Sequence, residues 1–292
     1  MYNIVNITDA VINETIYQYL KRKGFSENYV RNLRKKEGYI RLNNETAFTN
    51  VVVKNGDVLE LYKNPNCPPC STMQNIIPPN IAYEDEDILV VNKPSGMPCT
   101  PSRSHKEYCL VNAVLSYMQP KDASFVVRIV NRLDKDVAGL VCIAKHSLIS
   151  NLLNENNYID KTYYAICEGL LTSYAIIDKK IATTKNEFGY NNHKREISEN
   201  GKLAVTYVTP IVGYKNYTLC RVKIEHGRTH QIRLHMASIQ HPLLGDQLYG
   251  NASPLISHTA LFCGKMNIFN PISKKKICVN APYPDDMAKL IE

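Results

Sequence analysis

The sequence predicts an α+β protein in two parts, a small α+β unit followed by a larger α+β domain. Three observations predict it. Between residues 12 and 63, two helical patterns are followed by short strand patterns. Residues 63–80, KNPNCPPCSTMQNIIPPN, hold five prolines and little periodicity, as a linker does. From residue 81 onward, short strand-like runs alternate with a few helices. The expected boundaries are 1–63 for the first unit, 64–80 for the linker and 81–292 for the second domain.

In the first unit, Ile12, Ile16, Tyr19 and Leu20 follow helical spacing. Ser26 can cap a second short helix, with Val30 and Leu33 facing inward and Gly38 ending it. Arg31, Arg34 and Lys35 then fall on the outer face. Strands are expected at Tyr39–Leu42, Val51–Val53 and Val58–Tyr62, with turns at Asn43-Asn44 and Asn55-Gly56-Asp57. From Lys21 to Arg41 there are eight Lys or Arg and two Glu, a local charge of +6 that suits a solvated face or a phosphate-binding one.

In the second domain, 81–92 reads as strand, turn and strand, with Glu84-Asp-Glu-Asp at the turn. Phe125–Val130, Leu140–Ala144 and Lys161–Ile166 are strand-like. Thr218, Cys220, Val222 and Ile224 alternate along one more strand, which Gly227 breaks. Thr229 is then placed to cap a helix on which Ile232, Met236 and Ile239 form an apolar stripe.

The chain has 292 residues, 44% hydrophobic and 21% charged, enough to bury a core without disulfides or metal. Its 35 Lys and Arg against 27 Asp and Glu give +8, which leans toward an acidic partner such as nucleic acid. The first twenty residues carry Asp9 and Glu14 and no Lys or Arg, unlike a signal peptide. The longest apolar runs are far too short to cross a membrane. Nine cysteines, an odd number and several within strand-like runs, fit free thiols in a reducing cytoplasm.

Several segments could carry chemistry. Asn131-Arg-Leu-Asp-Lys-Asp-Val-Ala-Gly-Leu140 lies between two strands, where a rigid scaffold could present a carboxylate as nucleophile or base. A surface turn whose charges pair with one another reads the same residues equally well. His226-Gly-Arg-Thr-His-Gln-Ile-Arg-Leu-His-Met-Ala-Ser is followed by His241-Pro-Leu-Leu-Gly-Asp-Gln-Leu-Tyr-Gly. Arg233 sits beside the apolar stripe, where it could reach inward to a carboxylate or stay on the helix surface. Histidines 226, 230, 235 and 241 match no common zinc spacing. A tyrosine of Lys161-Thr-Tyr-Tyr-Ala-Ile166 could stack on a base or simply fill the core. Asn92-Lys-Pro-Ser-Gly96 reads as a turn after a strand. Cys67-Pro-Pro-Cys70 is a lone CxxC in the linker, for which neither zinc nor redox function is expected.

Taken together and in order, these segments resemble the RluA-type pseudouridine synthases. The family's HRLD-x-x-TSGL loop corresponds to NRLDKDVAGL at 131–140. Its GRTHQIR-x-H and HP-x-x-GD-x-LYG motifs stand at 227–235 and 241–250, its K-x-Y-x-A strand at 161–165, and its early E-D pattern, leading to V-x-K-P-x-G, at 86–96. Asn131 replaces the usual His, and Val137-Ala138 the usual Thr-Ser. The resemblance covers about residues 81–285, and residues 12–63 are similar to an S-four-like RNA-binding domain.

The resemblance implies a mixed, largely antiparallel central sheet and isomerisation of uridine to pseudouridine in RNA, with no cofactor and no metal. By the match, Asp134 acts on the ribose as nucleophile or base, Arg233 pairs with it, and Tyr163 stacks on the uracil and helps remove its final proton. Arg132, Arg228 and His230, with Arg31, Arg34 and Lys35 of the first unit, are the candidate RNA contacts. Ribosomal RNA of the large subunit is expected before transfer RNA, for a cytoplasmic monomer with no membrane contact. Two other readings use the same residues: an RNA-binding protein with a decayed site, and a hydrolase that cleaves a glycosidic bond with a second acidic partner.

Overall fold

The computed structural model describes residues 2–35, 37–62, 78–101, 108–122, 125–155, 158–185 and 191–292. The first unit runs β1 (Tyr2–Asn6), α1 (Ile16–Arg22), α2 (Glu27–Leu33), β2 (Ile40–Leu42), β3 (Glu45–Thr46) and β4 (Val58–Tyr62). Its antiparallel sheet has the order β1-β4-β2-β3. Ser26 caps α2 through Oγ, which accepts the Tyr29 N–H at 3.2 Å. Asn43 and Asn44, with φ of 53° and 70°, make the tight turn between β2 and β3.

Three expectations for this unit fail. Helix α2 ends at Leu33, with Arg34 as its C-cap, four residues short of Gly38. Ile12 is 91% exposed and outside the helix, because α1 starts later, at a capping box between Thr15 and Gln18. Val51–Val53 is no strand. Its carbonyls and amides are taken by the start of α1: Ile16 N–H donates to Val51 O at 2.8 Å, and Val53 N–H to Glu14 O at 2.9 Å. An additional strand, β1, precedes the helices and pairs along β4.

The larger part runs β5 (Ile81–Glu84), β6 (Ile88–Lys93), α3 (Leu110–Met118), β7 (Arg128–Ile129), β8 (Ala138–Ala144), α4 (Ser147–Glu155) and β9 (Ile159–Glu168). It continues with β10 (Ala175–Asp178), β11 (Ile181–Lys185), β12 (Asn191–Ile197), β13 (Val205–Gly213), β14 (Tyr217–Glu225) and α5 (Gln231–Ala237), and ends with β15 (Leu261–Phe269), β16 (Lys276–Asn280) and α6 (Asp285–Ile291). Ten strands form one sheet in the order β10-β13-β14-β9-β15-β8-β6-β5, with β16 on β15 and β7 on β8. The sheet is mixed and largely antiparallel. Among the described residues its parallel pair is β8 with β15. Gly139 permits this contact: it has φ 118°, and a Cβ there would lie 2.4 Å from the Cys263 carbonyl oxygen.

Side chains of α3, α4 and α5, such as Val114, Ile149, Leu153 and Ile232, pack with Tyr163, Cys220 and Val222 of the sheet in the main core. Met287 of α6 joins Ile166, Leu219 and Phe262, which alternate with those residues, on the opposite face. Helix α4 has a second allegiance. Its Leu148 and Leu152 are buried in the core of the first unit, with Tyr19, Tyr29 and Leu33. The CxxC at Cys67–Cys70 and most of the expected linker lie outside the described residues. No helix among the described residues is long and apolar enough to cross a membrane.

Candidate active site

The loop between β7 and β8 is anchored along its length. Asn131 is buried at its start; Nδ2 donates to Leu140 O at 3.2 Å, and Oδ1 accepts the Cys142 N–H at 2.8 Å. One amide thus stitches the loop to β8 as a strand neighbour would. Leu133 N–H donates to Cys99 Sγ at 3.4 Å, and that thiol donates back to Leu133 O at 3.3 Å. Val137 and Ala138, where the family carries hydroxyls, are buried among apolar side chains.

Lys93, read from sequence only as part of a turn, is fully buried beneath the loop. Its Nζ donates to the carbonyls of Pro94 (2.9 Å), Met97 (2.7 Å) and Lys135 (3.2 Å), one acceptor for each ammonium proton. Burial pushes the Lys93 pKa down to about 8, while the nearby Cys99, Asp134 and Asp136 pull it upward. Ser95 Oγ donates to Asp136 O at 2.9 Å. The 92–96 segment therefore braces the 131–137 loop from below and holds Asp134 at its turn.

Helix α5 faces this loop. Its N-cap is His230, in left-handed backbone with φ 57°, rather than the expected Thr229. Arg233 points inward and is 5% exposed. It does not pair chiefly with Asp134. Nε and Nη2 donate to the two oxygens of Asp246 at 2.7 Å each, and Nη1 lies 3.5 Å from Asp134 Oδ2. Asp246 is fully buried. Burial alone would raise its pKa, but the Arg233 fork and the amides of Leu248 and Tyr249 hold it below the usual carboxylate value. Gly245 makes the preceding turn with φ 72°, where a Cβ would meet the His258 carbonyl at 2.4 Å. Only glycine delivers Asp246 to that place.

His230 completes the surroundings of Asp134. Its Nε2 is 3.8 Å from Asp134 Oδ2, and its Nδ1 is 3.0 Å from the Tyr249 hydroxyl. Burial lowers the His230 pKa more than Asp134 raises it. Tyr163 of β9 lines the same cleft and is 5% exposed. Burial, then the nearby Cys263 and Asp134, raise its phenol well above the usual value.

The cleft has a volume of about 1050 Å³ and joins the 129–137 loop, β9 and the 224–233 segment. Asp134, Arg233 and Tyr163 come together in it, and Asp134 is 25% exposed toward it. Arg132 is exposed on its lining. Arg228 also lines it, with Nε donating to Leu203 O at 3.0 Å. Arg31, Arg34 and Lys35 lie elsewhere, exposed on α2 and the turn after it, with Arg34 5.0 Å over the Tyr17 ring. The histidines scatter: His235 is buried against Thr206 and Lys179 O, and His241 meets Glu168 O. Among the described residues no group of three or more His, Cys, Asp or Glu could hold a metal ion.

Residues 87–238 match the model of the RNA pseudouridylate synthase family. The uncharacterized RNA pseudouridine synthase YjbO of Bacillus subtilis is 30% identical over 283 residues, 95% of this chain and 98% of that one. Ribosomal large subunit pseudouridine synthase D of Haemophilus influenzae is 36% identical over 236 residues, 74% of this chain and 70% of its own. The solved structure of human RNA Pseudouridylate Synthase Domain Containing 1 shares the fold with a TM-score of 0.58 at 22% identity, covering 74% of this chain and 86% of that one.

Proposed function

The chain belongs to the RNA pseudouridylate synthase family, and from that premise we propose that it isomerises a uridine of large-subunit ribosomal RNA with Asp134 acting on the ribose. The carrying observation is the cleft in which Asp134 sits between Arg233 and His230 on the same lining as Tyr163. The protein is an RNA pseudouridine synthase. The reaction breaks the bond from C1′ to N1, turns the uracil, and joins C1′ to C5; the C5 proton leaves and N1 gains one. It needs a carboxylate beside the sugar, a flat wall for the loose base and little water.

In this reading Asp134 is the group at the sugar and Arg233 is a positioning residue, itself aimed by Asp246. Tyr163 is the wall against which the uracil stacks; its raised pKa argues against its acting as the base that takes the C5 proton. Arg132, exposed on the cleft lining, fills the stack that the flipped nucleotide leaves. Flipping costs a few kcal/mol. Phosphate contacts offset it, from Arg228 and His230 at the cleft and from Arg31, Arg34 and Lys35 on a first unit that acts as an S-four-like RNA-binding domain.

Large-subunit ribosomal RNA is preferred to transfer RNA because relatives at 36% identity carry that substrate in their names. A glycosidic hydrolase would need a second working carboxylate, and Asp246 is fully buried and tied to Arg233. The test is chemical mapping of pseudouridine in total RNA from cells with and without the gene. Loss of a large-subunit site is expected. Loss of a transfer RNA site alone overturns the target, and release of free uracil by the purified protein overturns the chemistry.

A further inference from the structure

The outer face of the sheet, opposite the cleft, is covered only in part. Met287 of α6 buries Phe262, Ile166 and Leu219. Beyond it lies an open groove of about 420 Å³ on β13, β14, β9 and β15. Its floor sets tyrosines beside cationic side chains of neighbouring strands, with Thr162, Thr209 and Asn267 among them. Tyr207 stands opposite Lys223, and Arg221 opposite Tyr164. Lys265 stands opposite Thr162, and the half-exposed Tyr174 lines the end near β10. Gly264 lets the Tyr164 ring lie down on the sheet, since a Cβ there would meet the ring at 2.8 Å. Tyr283 holds the same ring edge-on, with centroids 5.2 Å apart.

The charges on this face are not all matched. Asp160 takes Lys223 at 2.9 Å, and Glu225 accepts the Tyr207 hydroxyl at 2.7 Å. Arg221 and Lys265 have no acidic partner among the described residues. The mechanism uses none of these groups. Two strands carry residues of both the groove and the cleft. Along β9, Asp160 and Lys161 line the cleft, and Thr162 and Tyr164 line the groove. Along β14, Ile224 and Glu225 line the cleft, and Lys223 and Arg221 line the groove.

We propose that this groove is a second RNA-binding site, which takes an unpaired stretch of the same RNA whose uridine occupies the cleft. A sheet face that interleaves tyrosines with Arg and Lys fits single-stranded nucleic acid, because every base has a face to stack and every linkage a phosphate. An acidic protein segment would satisfy the two unmatched cations but leave the tyrosine faces without a planar partner. The proposal rests on the RNA reading of the cleft, and it extends the footprint around the end of β9 and β14 to the far side of the sheet.

The test uses the full chain and a labelled oligouridylate of about thirty nucleotides, longer than one groove can hold. Ultraviolet crosslinking of the wild type should mark peptides with Tyr164, Tyr174 or Tyr207. The double variant Arg221→Glu, Lys265→Glu should bind the oligomer roughly fivefold or more weakly, with the slope of log K against log salt reduced by about 1.4 for two single-strand phosphate contacts. Tyr174→Ala, an exposed change, should weaken binding without altering that slope. Polyglutamate should compete poorly. Crosslinks confined to the cleft with an unchanged slope, or displacement by polyglutamate at low concentration, would overturn the proposal. Asp134→Asn separates the two readings: it should keep the groove crosslinks and make no pseudouridine, whereas continued turnover in that variant overturns the catalytic assignment and leaves the groove standing.

Discussion

Arg233 holds two carboxylates unequally: it meets Asp246 with two bonds of 2.7 Å and Asp134 with one arm at 3.5 Å. The short pair fixes the plane of the guanidinium, and the remaining arm inherits its direction. Asp134 thus keeps a cation beside it that does not need to move when substrate arrives.

Breaking that pair should be felt in stability and in rate. Asp246→Ala leaves a buried guanidinium without its fork partner and should cost about 3–5 kcal/mol. Arg233→Lys keeps a charge but cannot span both carboxylates. It should lower pseudouridine formation as well. Urea unfolding and release of label from the uracil 5-position measure the two effects. A wild-type midpoint for Asp246→Ala would show that the pair is not structural.

Asp134→Asn preserves shape and removes the charge. It should fold, bind RNA and lose roughly 10³-fold or more of its activity. Binding should hold or tighten, because no carboxylate has to be desolvated as RNA enters. Chemical derivatisation of the product reads this directly, and a near wild-type rate would remove Asp134 from the reaction.

Asn131 donates to one β8 backbone group and accepts from another. Asp at this position keeps the acceptor but sets its second oxygen against the Leu140 carbonyl. Asn131→Asp should destabilise by about 1–3 kcal/mol. An imidazole has one N–H and one lone pair, so Asn131→His should fold and change the rate modestly. Thermal melts of the two variants should rank Asp below His.

Lys93 makes the loop sensitive to alkali. Its folded pKa, about 8, lies below the ordinary lysine value of 10.5. Between the two values the unfolded chain binds the extra proton, so this group's contribution to stability rises with pH there. Activity should move the other way. Neutral Lys93 has two N–H donors for three carbonyls, and the tie to Lys135 O, its longest, is the one expected to loosen. The wild type should show an alkaline fall in kcat centred near pH 8, absent from the residual activity of Lys93→Met. The same alkaline fall in both proteins would assign it to another group.

The basic turn of the first unit should show in salt dependence. Arg31→Gln, Arg34→Gln and Lys35→Gln together should reduce the slope of log K against log salt by about 2 on single-stranded RNA. An unchanged slope would mean that this face does not touch phosphate.

Much of the architecture can be read from local chemistry, and the departures have local causes too. Ser26 as a cap and Asn43-Asn44 as a turn depend on nearest neighbours alone. The start of α1 departs from the apolar spacing at Ile12 because the Thr15–Gln18 box satisfies backbone donors that spacing cannot. Val51–Val53 has strand composition, but its hydrogen bonds go to another element's first turn. In the site, the motifs single out Asp134, Arg233 and Tyr163. Which carboxylate Arg233 grips depends on how the Gly245 turn packs under His258, a contact between residues that no periodicity links. The burial of Lys93 is equally nonlocal, since its acceptors belong to two loops.

Helix α4 carries Leu148 and Leu152 in the core of the first unit, while Leu153 and Asn154, its next residues, line the cleft. One helix turn is therefore answerable to two neighbours at once. A change of volume at residue 152 made to suit the first unit rotates or shifts the wall beside the substrate. The two parts of this chain are then not interchangeable cassettes: a first unit grafted from a relative would have to bring its own version of α4, or remould the cleft it was meant to serve.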